Sequence, residues 1–200
     1  MSAMAVTQAH LTPEALLGFP LPSPGVQGLA PSDIGVLLKR LLALRMRWAL
    51  VGPLVAFDGD GYVRKRLFRD DDWEMLLLCW LPGQKTVVHD HGGSWGASLI
   101  LAGEIHEWTY RWHGEGRPLE AELDRSVAAP KLTVETLETV HRVENCSSQP
   151  AVSLHLYSPP LRVLNSYSVE TGVRHAVPLD LDPAVAVGGD PQHRLREQPV

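Results

Sequence analysis

Polar and apolar positions change rhythm once along this chain. Up to about residue 30 no period is sustained, and Pro13, Gly18, Pro20, Pro22, Pro24, Gly25 and Gly28 interrupt the pattern. An irregular arm is predicted there, with a short helix over Pro13 to Leu17. Ile34, Leu37, Leu38, Leu41, Leu42 and Leu44 then recur at near-helical spacing. Ser32 is placed to cap this helix, Asp33 suits its first turn, and Lys39, Arg40, Arg45 and Arg47 suit its end. Such a helix lays an apolar stripe on the rest of the domain.

From residue 52 the texture becomes short apolar runs between turn signals. Strands are expected at Tyr62–Phe68, Trp73–Leu81, Thr86–His91, Ser98–Leu101, Ile105–Trp112, Ser126–Ala128, Leu132–Thr136, Val140–Glu144 and Val152–Tyr157. Asp58-Gly59-Asp60-Gly61, Arg69-Asp70-Asp71-Asp72 and Pro82-Gly83-Gln84 supply turns between them. About eight to ten short strands predict an all-β fold, an antiparallel sandwich or barrel. One domain over 1–200 is expected: arm and helix over 1–50, a β-barrel core over 52–160 closed by Pro159-Pro160, and a loosely ordered tail over 180–200.

Composition narrows the class. With 200 residues, 44% hydrophobic and 20% charged, the chain can bury a sizeable core. Its longest apolar run, Met75 to Leu81, is too short to cross a bilayer, so no membrane association is expected. The start MSAMAVTQAHLTPE lacks a basic and apolar leader, and the cytoplasm is the expected compartment. A net charge of −5 argues against nucleic-acid binding. Two cysteines, Cys79 and Cys146, make a disulfide scaffold implausible and are read as packing thiols. A monomer is expected.

Nine histidines are numerous for such a chain, and their placement is informative. His89 and His91 flank Asp90 before the turn Gly92-Gly93, so on a strand both imidazoles share one face while Asp90 turns away. That pair reads as part of a metal site needing a third ligand, for which His141 is available. Ser153, His155 and Tyr157 also repeat with period two. They can relay polarisation from hydroxyl through imidazole to phenol; a solvated polar face of an edge strand is the plainer alternative. No Gly-x-Ser-x-Gly elbow surrounds Ser153, which disfavours a serine hydrolase. His10, His106, His113, His175 and His193 are read as lying outside any site. Glu104 and Glu107 are read as a solvated strand face, and Trp95 as a wall of the pocket.

These residues carry a resemblance. Gly83, His89-Asp90-His91 and Gly103 resemble a first cupin motif, and His141 with Asn145 is similar to the end of a second. The stretches HDHGGSWG, HRVEN and PAVSLHLYSPPL resemble the cysteine dioxygenase family of thiol dioxygenases, over Gly61 to Leu161. The resemblance implies a cupin-type β-barrel in which His89, His91 and His141 hold Fe(II). It implies further that Ser153, His155 and Tyr157 form a relay, and that Arg64, with Tyr62 nearby, receives the substrate carboxylate. The implied reactants are a small thiol, cysteine above all, and O2, giving a sulfinate.

Two departures from the pattern fall at one place. Gly96 stands where most cupins have a glutamate ligand and where some thiol dioxygenases have a cysteine linked to the tyrosine. The resemblance therefore implies a site of three imidazoles and an unmodified Tyr157. Competing readings are a dioxygenase of 3-mercaptopropionate or another thiol, and a non-catalytic cupin binding a metal or ligand. A cupin sugar isomerase is disfavoured by the carboxylate missing at Gly96.

Overall fold

The computed structural model describes residues 12–24, 31–42 and 51–179. Among the described residues two α-helices and a short 3-10 helix (Gly52–Leu54) precede eleven strands: α1 (Pro13–Leu17), α2 (Pro31–Leu42), β1 (Val63–Arg69), β2 (Glu74–Trp80), β3 (His89–Asp90), β4 (Trp95–Ala102), β5 (Glu104–Arg111), β6 (Glu120–Ala128), β7 (Lys131–Glu135), β8 (Val140–Glu144), β9 (Ala151–Ser158), β10 (Val163–Tyr167) and β11 (Arg174–Pro178). The strands form two antiparallel sheets, ordered β1-β2-β9-β4-β7 and β11-β10-β3-β8-β5-β6. The all-β, barrel-like architecture expected from the strand pattern is present. No helix among the described residues is long and apolar enough to cross a membrane.

The first sheet is covered on both faces. Leu16, Leu17, Leu37 and Leu41 of the helices pack with Met75, Leu77, Ala97, Leu99, Leu154 and Leu156 on one side. On the other, Leu76, Leu78, Trp80 and Ile100 meet Ile105, Val127 and Val143 of the second sheet. This explains why every residue of β2 and β9 is buried. A strand between two apolar layers has no solvated face, so Ser153, His155 and Tyr157 point into the interior rather than along an edge. Thr12 caps α1, accepting from the Ala15 amide at 3.2 Å.

Several local expectations are corrected. Helix α2 begins at Pro31, so Ser32 lies within it; proline's fixed φ suits a first helical position. Leu44, Arg45 and Arg47, much of the arm, and the tail over 180–200 lie outside the described residues. The strand foreseen over Thr86–His91 shrinks to His89–Asp90. The strand series does not end at Pro160 either. β10 and β11 extend the second sheet, and β10 pairs with β3 through Asn165↔Asp90 and Ser166↔His89.

Gly92 fixes how the chain leaves β3. Its φ is +58°, and a Cβ there would overlap the Val163 carbonyl oxygen of β10. Both the left-handed backbone and the close approach demand glycine. Gly92→Ala should therefore lower stability by about 2 kcal/mol or more, read from urea unfolding. Gly59→Ala, where a Cβ meets nothing within 4 Å, is the control and should leave the midpoint nearly unchanged.

Candidate metal centre

Backbone register brings the first two histidines together. β3 pairs with β8 so that His89 lies directly opposite His141. Their rings stand 4.7 Å apart between centroids. His91, just past β3, completes the triangle at 5.2 Å from His89 and 5.1 Å from His141. One ring nitrogen from each lies within 4.8 Å of the others, and all three residues are buried.

The hydrogen bonds choose which nitrogens remain free. His89 Nδ1 donates to the Val87 carbonyl at 3.0 Å, and His141 Nδ1 meets Glu107 Oε1 at 3.0 Å. Each arrangement leaves Nε2 bare, the form in which imidazole binds a metal. His141 Nε2 and both nitrogens of His91 are buried without a partner. Orphaned buried nitrogens are costly unless something binds them, and one from each of His91 and His141 lies within 4.8 Å of a His89 nitrogen. A cation accepting three imidazoles fits this donor set. Asp90 turns away, as expected, and accepts from Asn165 Nδ2 at 2.8 Å and from Tyr167.

Burial keeps His89 and His91 uncharged. Desolvation, reinforced by His141, depresses His89 from 6.5 to about 3, and places His91 well below 6.5. The same two causes hold His155 at about 3. Glu107 is corrected from a solvated strand face: it is 3% exposed beneath His141. Its burial alone would raise its pKa, but hydrogen bonds from His141 and Arg125 outweigh that and lower it. The signal was spacing, since Glu107 shares a face of β5 with Ile105, a core residue. Glu104, by contrast, is exposed.

Opposite the histidines lies the polar row of β9. Ser153 Oγ sits 2.7 Å from His155 Nε2, and His155 Nδ1 lies 3.2 Å from the Tyr157 hydroxyl. The Tyr157 ring reaches 4.9 Å from that of His91. Burial first, and Glu135 second, push its phenol pKa well above 10, so it keeps its proton. Two residues the sequence reading passed over join the row: Ser98 Oγ lies 2.7 Å from His155 Nδ1 and donates to Glu135 Oε1 at 2.6 Å. Glu135 is 1% exposed, and its pKa is raised by burial against the pull of His141. Trp80 Nε1 donates to Ser153 Oγ at 3.0 Å.

Arg64, Tyr62, Trp80, the three histidines, His155 and Tyr157 line one cavity. The basic residues of β1 divide their tasks: Lys65 donates to the Leu54 carbonyl, Arg66 pairs with buried Glu74, and Arg64 is left facing the cavity. Tyr62 stacks on Trp80 at 4.3 Å. Trp95 is not a pocket wall. It packs edge-to-face on Trp73 in the helix-facing core, because strand alternation gives Gly96 the interior side. His106 pairs with Asp124 and His113 with Glu120, both away from the site. His175 is exposed, and His10 and His193 fall outside the described residues. Cys79 is buried as expected, but Cys146 is exposed.

Two tests follow from this electrostatics. His89 and His155 bind a proton below 6.5 when unfolded but only near 3 when folded. Stability of the metal-free chain should be full above pH 6.5 and fall as pH drops toward 3, by on the order of a few kcal/mol. Urea midpoints measured across that range check it, and a flat profile would contradict it. Glu107→Ala should weaken divalent metal-ion binding roughly 10- to 100-fold by freeing the His141 ring, as titration calorimetry under anaerobic conditions would measure.

The cysteine dioxygenase type I family matches residues 46–170. Cysteine dioxygenase type 1 of Rattus norvegicus is 30% identical over 134 residues, 65% of this chain and 66% of that protein. The Danio rerio enzyme of the same name is 32% identical over 128 residues, 60% and 63% of the two chains. The chain thus spans just under two thirds of the length of these curated relatives. A solved structure from Thermus thermophilus superposes with a TM-score of 0.47 at 23% identity, over 55% of this chain and 93% of its own. With 125 consecutive positions matched, residues 46 to 170, the chain belongs to the cysteine dioxygenase type I family.

Proposed function

We propose that this protein is a thiol dioxygenase that converts the thiol of cysteine to the sulfinate, with Fe(II) held by His89, His91 and His141. The observation that carries the reading is the meeting of three buried imidazoles with a guanidinium and a phenol in one cavity. Ferrous iron, when bound, supplies the Lewis acidity that favours a thiolate and the redox chemistry that activates dioxygen. Three neutral ligands suit an anionic sulfur, because they leave the cation's charge uncompensated. The overall balance closes without a further reductant: the sulfur gives up four electrons, and both oxygen atoms end on it.

The chain's own residues bind, orient and exclude water. Arg64 anchors the substrate carboxylate by a paired hydrogen bond, which fixes the distance from carboxylate to sulfur. Tyr157, held protonated by its burial, donates a hydrogen bond to the reacting end of the substrate and keeps its proton. His155 and Ser153 hold that phenol in place. Leu76, Leu78, Leu161 and Leu164 make the remaining wall apolar, which keeps water from competing. A reducing compartment such as the cytoplasm suits both a thiol substrate and the two unpaired cysteines.

Choice among thiols follows from Arg64. It favours a thiol bearing a carboxylate over a simple amine thiol such as cysteamine. An oxygen electrode with iron-loaded protein should record uptake with cysteine and one sulfinate formed per O2. No uptake despite confirmed iron would leave a metal-binding module instead, and faster turnover of 3-mercaptopropionate would reassign the substrate. Arg64→Ala should raise KM roughly 10- to 100-fold for cysteine while leaving that for cysteamine nearly unchanged. Equal effects on both would remove Arg64 from the anchor role.

A further inference from the structure

Three strands of the first sheet meet at one level. Gly96 of β4 lies opposite Glu135 of β7 on one side and Tyr157 of β9 on the other. Because position 96 has no side chain, the Glu135 carboxyl crosses over β4 toward the phenol. A Cβ at Gly96 would overlap Glu135 Oε2 and stand 2.9 Å from Tyr157 Cε1. Glu135 Oε1 receives the Ser98 hydroxyl at 2.6 Å, while Oε2 is buried with no hydrogen-bond partner.

The directions of the bonds along this row are set from its far end. An indole N–H can only donate, so Trp80 obliges Ser153 Oγ to accept. The Ser153 hydroxyl then has its proton free for His155 Nε2. With Nε2 accepting, the single proton of this neutral imidazole sits on Nδ1, where Ser98 Oγ accepts it at 2.7 Å. Ser98 must pass its own proton on, and the one acceptor bonded to it beyond His155 is Glu135 Oε1. Reversing the run would leave the Ser153 proton with no acceptor among these partners.

We propose that Glu135 is a positioning residue: through Ser98 it holds the His155 proton on Nδ1, so that the Tyr157 hydroxyl must keep its own proton for the cavity. At 3.2 Å from Nδ1, the phenol oxygen can share that N–H but cannot donate to it. The open side of the hydroxyl faces the cavity with His91. The carboxyl also fills the gap beside the ring that Gly96 leaves, limiting where the phenol can swing. This deepens the thiol-dioxygenase reading, on which only its catalytic consequence rests.

The tautomer can be read without metal or turnover. Metal-free protein with 15N-labelled histidine is examined by long-range proton–nitrogen correlation, with His155 identified by its loss in His155→Gln. Wild type should show a neutral ring protonated at Nδ1. Glu135→Gln, which keeps an acceptor for Ser98, should keep that pattern. Glu135→Met, similar in length without the oxygens, should let Ser98 donate to Nδ1 and move the proton to Nε2. A wild-type ring protonated at Nε2 overturns the proposal, as does a folded Glu135→Met with Nδ1 still protonated. Should Glu135→Met not fold, the wild-type and Glu135→Gln spectra decide. With iron restored, Glu135→Met should lose roughly tenfold or more in kcat with KM for cysteine within about twofold, and Glu135→Gln should keep most of it. Equal losses in both variants also overturn the assignment. Failure of the dioxygenase reading would leave the spectra unchanged, so the two failures are distinguishable.

Discussion

Everything in this site depends on one cross-strand pair. Because β3 and β8 run antiparallel in a register that sets His89 against His141, two imidazoles are forced together in a buried layer. Burial makes a lone imidazolium at His89 too costly, so that ring stays neutral and its Nε2 stays available. A slip of one residue in that pairing would turn His141 to the other face and dissolve the site. The bonds to the Val87 carbonyl and to Glu107 complete the constraint by aiming the rings.

Much of this was legible beforehand, for identifiable reasons. A period of two in Ser153-Leu154-His155-Leu156-Tyr157 gives the sharing of a face directly, and that inference needs no tertiary knowledge. The His-x-His spacing is equally local. Whether that face is wet or dry is not local. It depends on a second sheet and two helices closing over β9, which no window of a few residues contains. The all-apolar texture of β2 was the available clue that this layer is sandwiched.

What escaped the sequence is instructive in the same terms. Val163–Tyr167 has no clean alternation, so β10 was invisible, although it pairs with the strand bearing His89. Its polar residues Asn165 and Tyr167 grip the half-buried Asp90 instead. Glu107 and Glu135 look like ordinary surface acids on strands. Their burial follows from partners 34 and 37 residues away in sequence, His141 for the first and Ser98 for the second. Gly96 signalled something unusual by its lack of a side chain, but not that a carboxyl from the next strand would take the space.

The two sheets contribute different chemistry to one cavity. The three histidines of the candidate centre are carried on β3, at its end, or on β8, while Arg64, His155 and Tyr157 stand on β1 and β9 across the interface. Gripping an ion and selecting the molecule that meets it are therefore assigned to separate layers. Substitutions confined to one layer can redraw substrate preference while the ion's grip stays intact, and the reverse holds as well. A scaffold divided in this way can diversify its reactants across a lineage without relearning how to hold its metal.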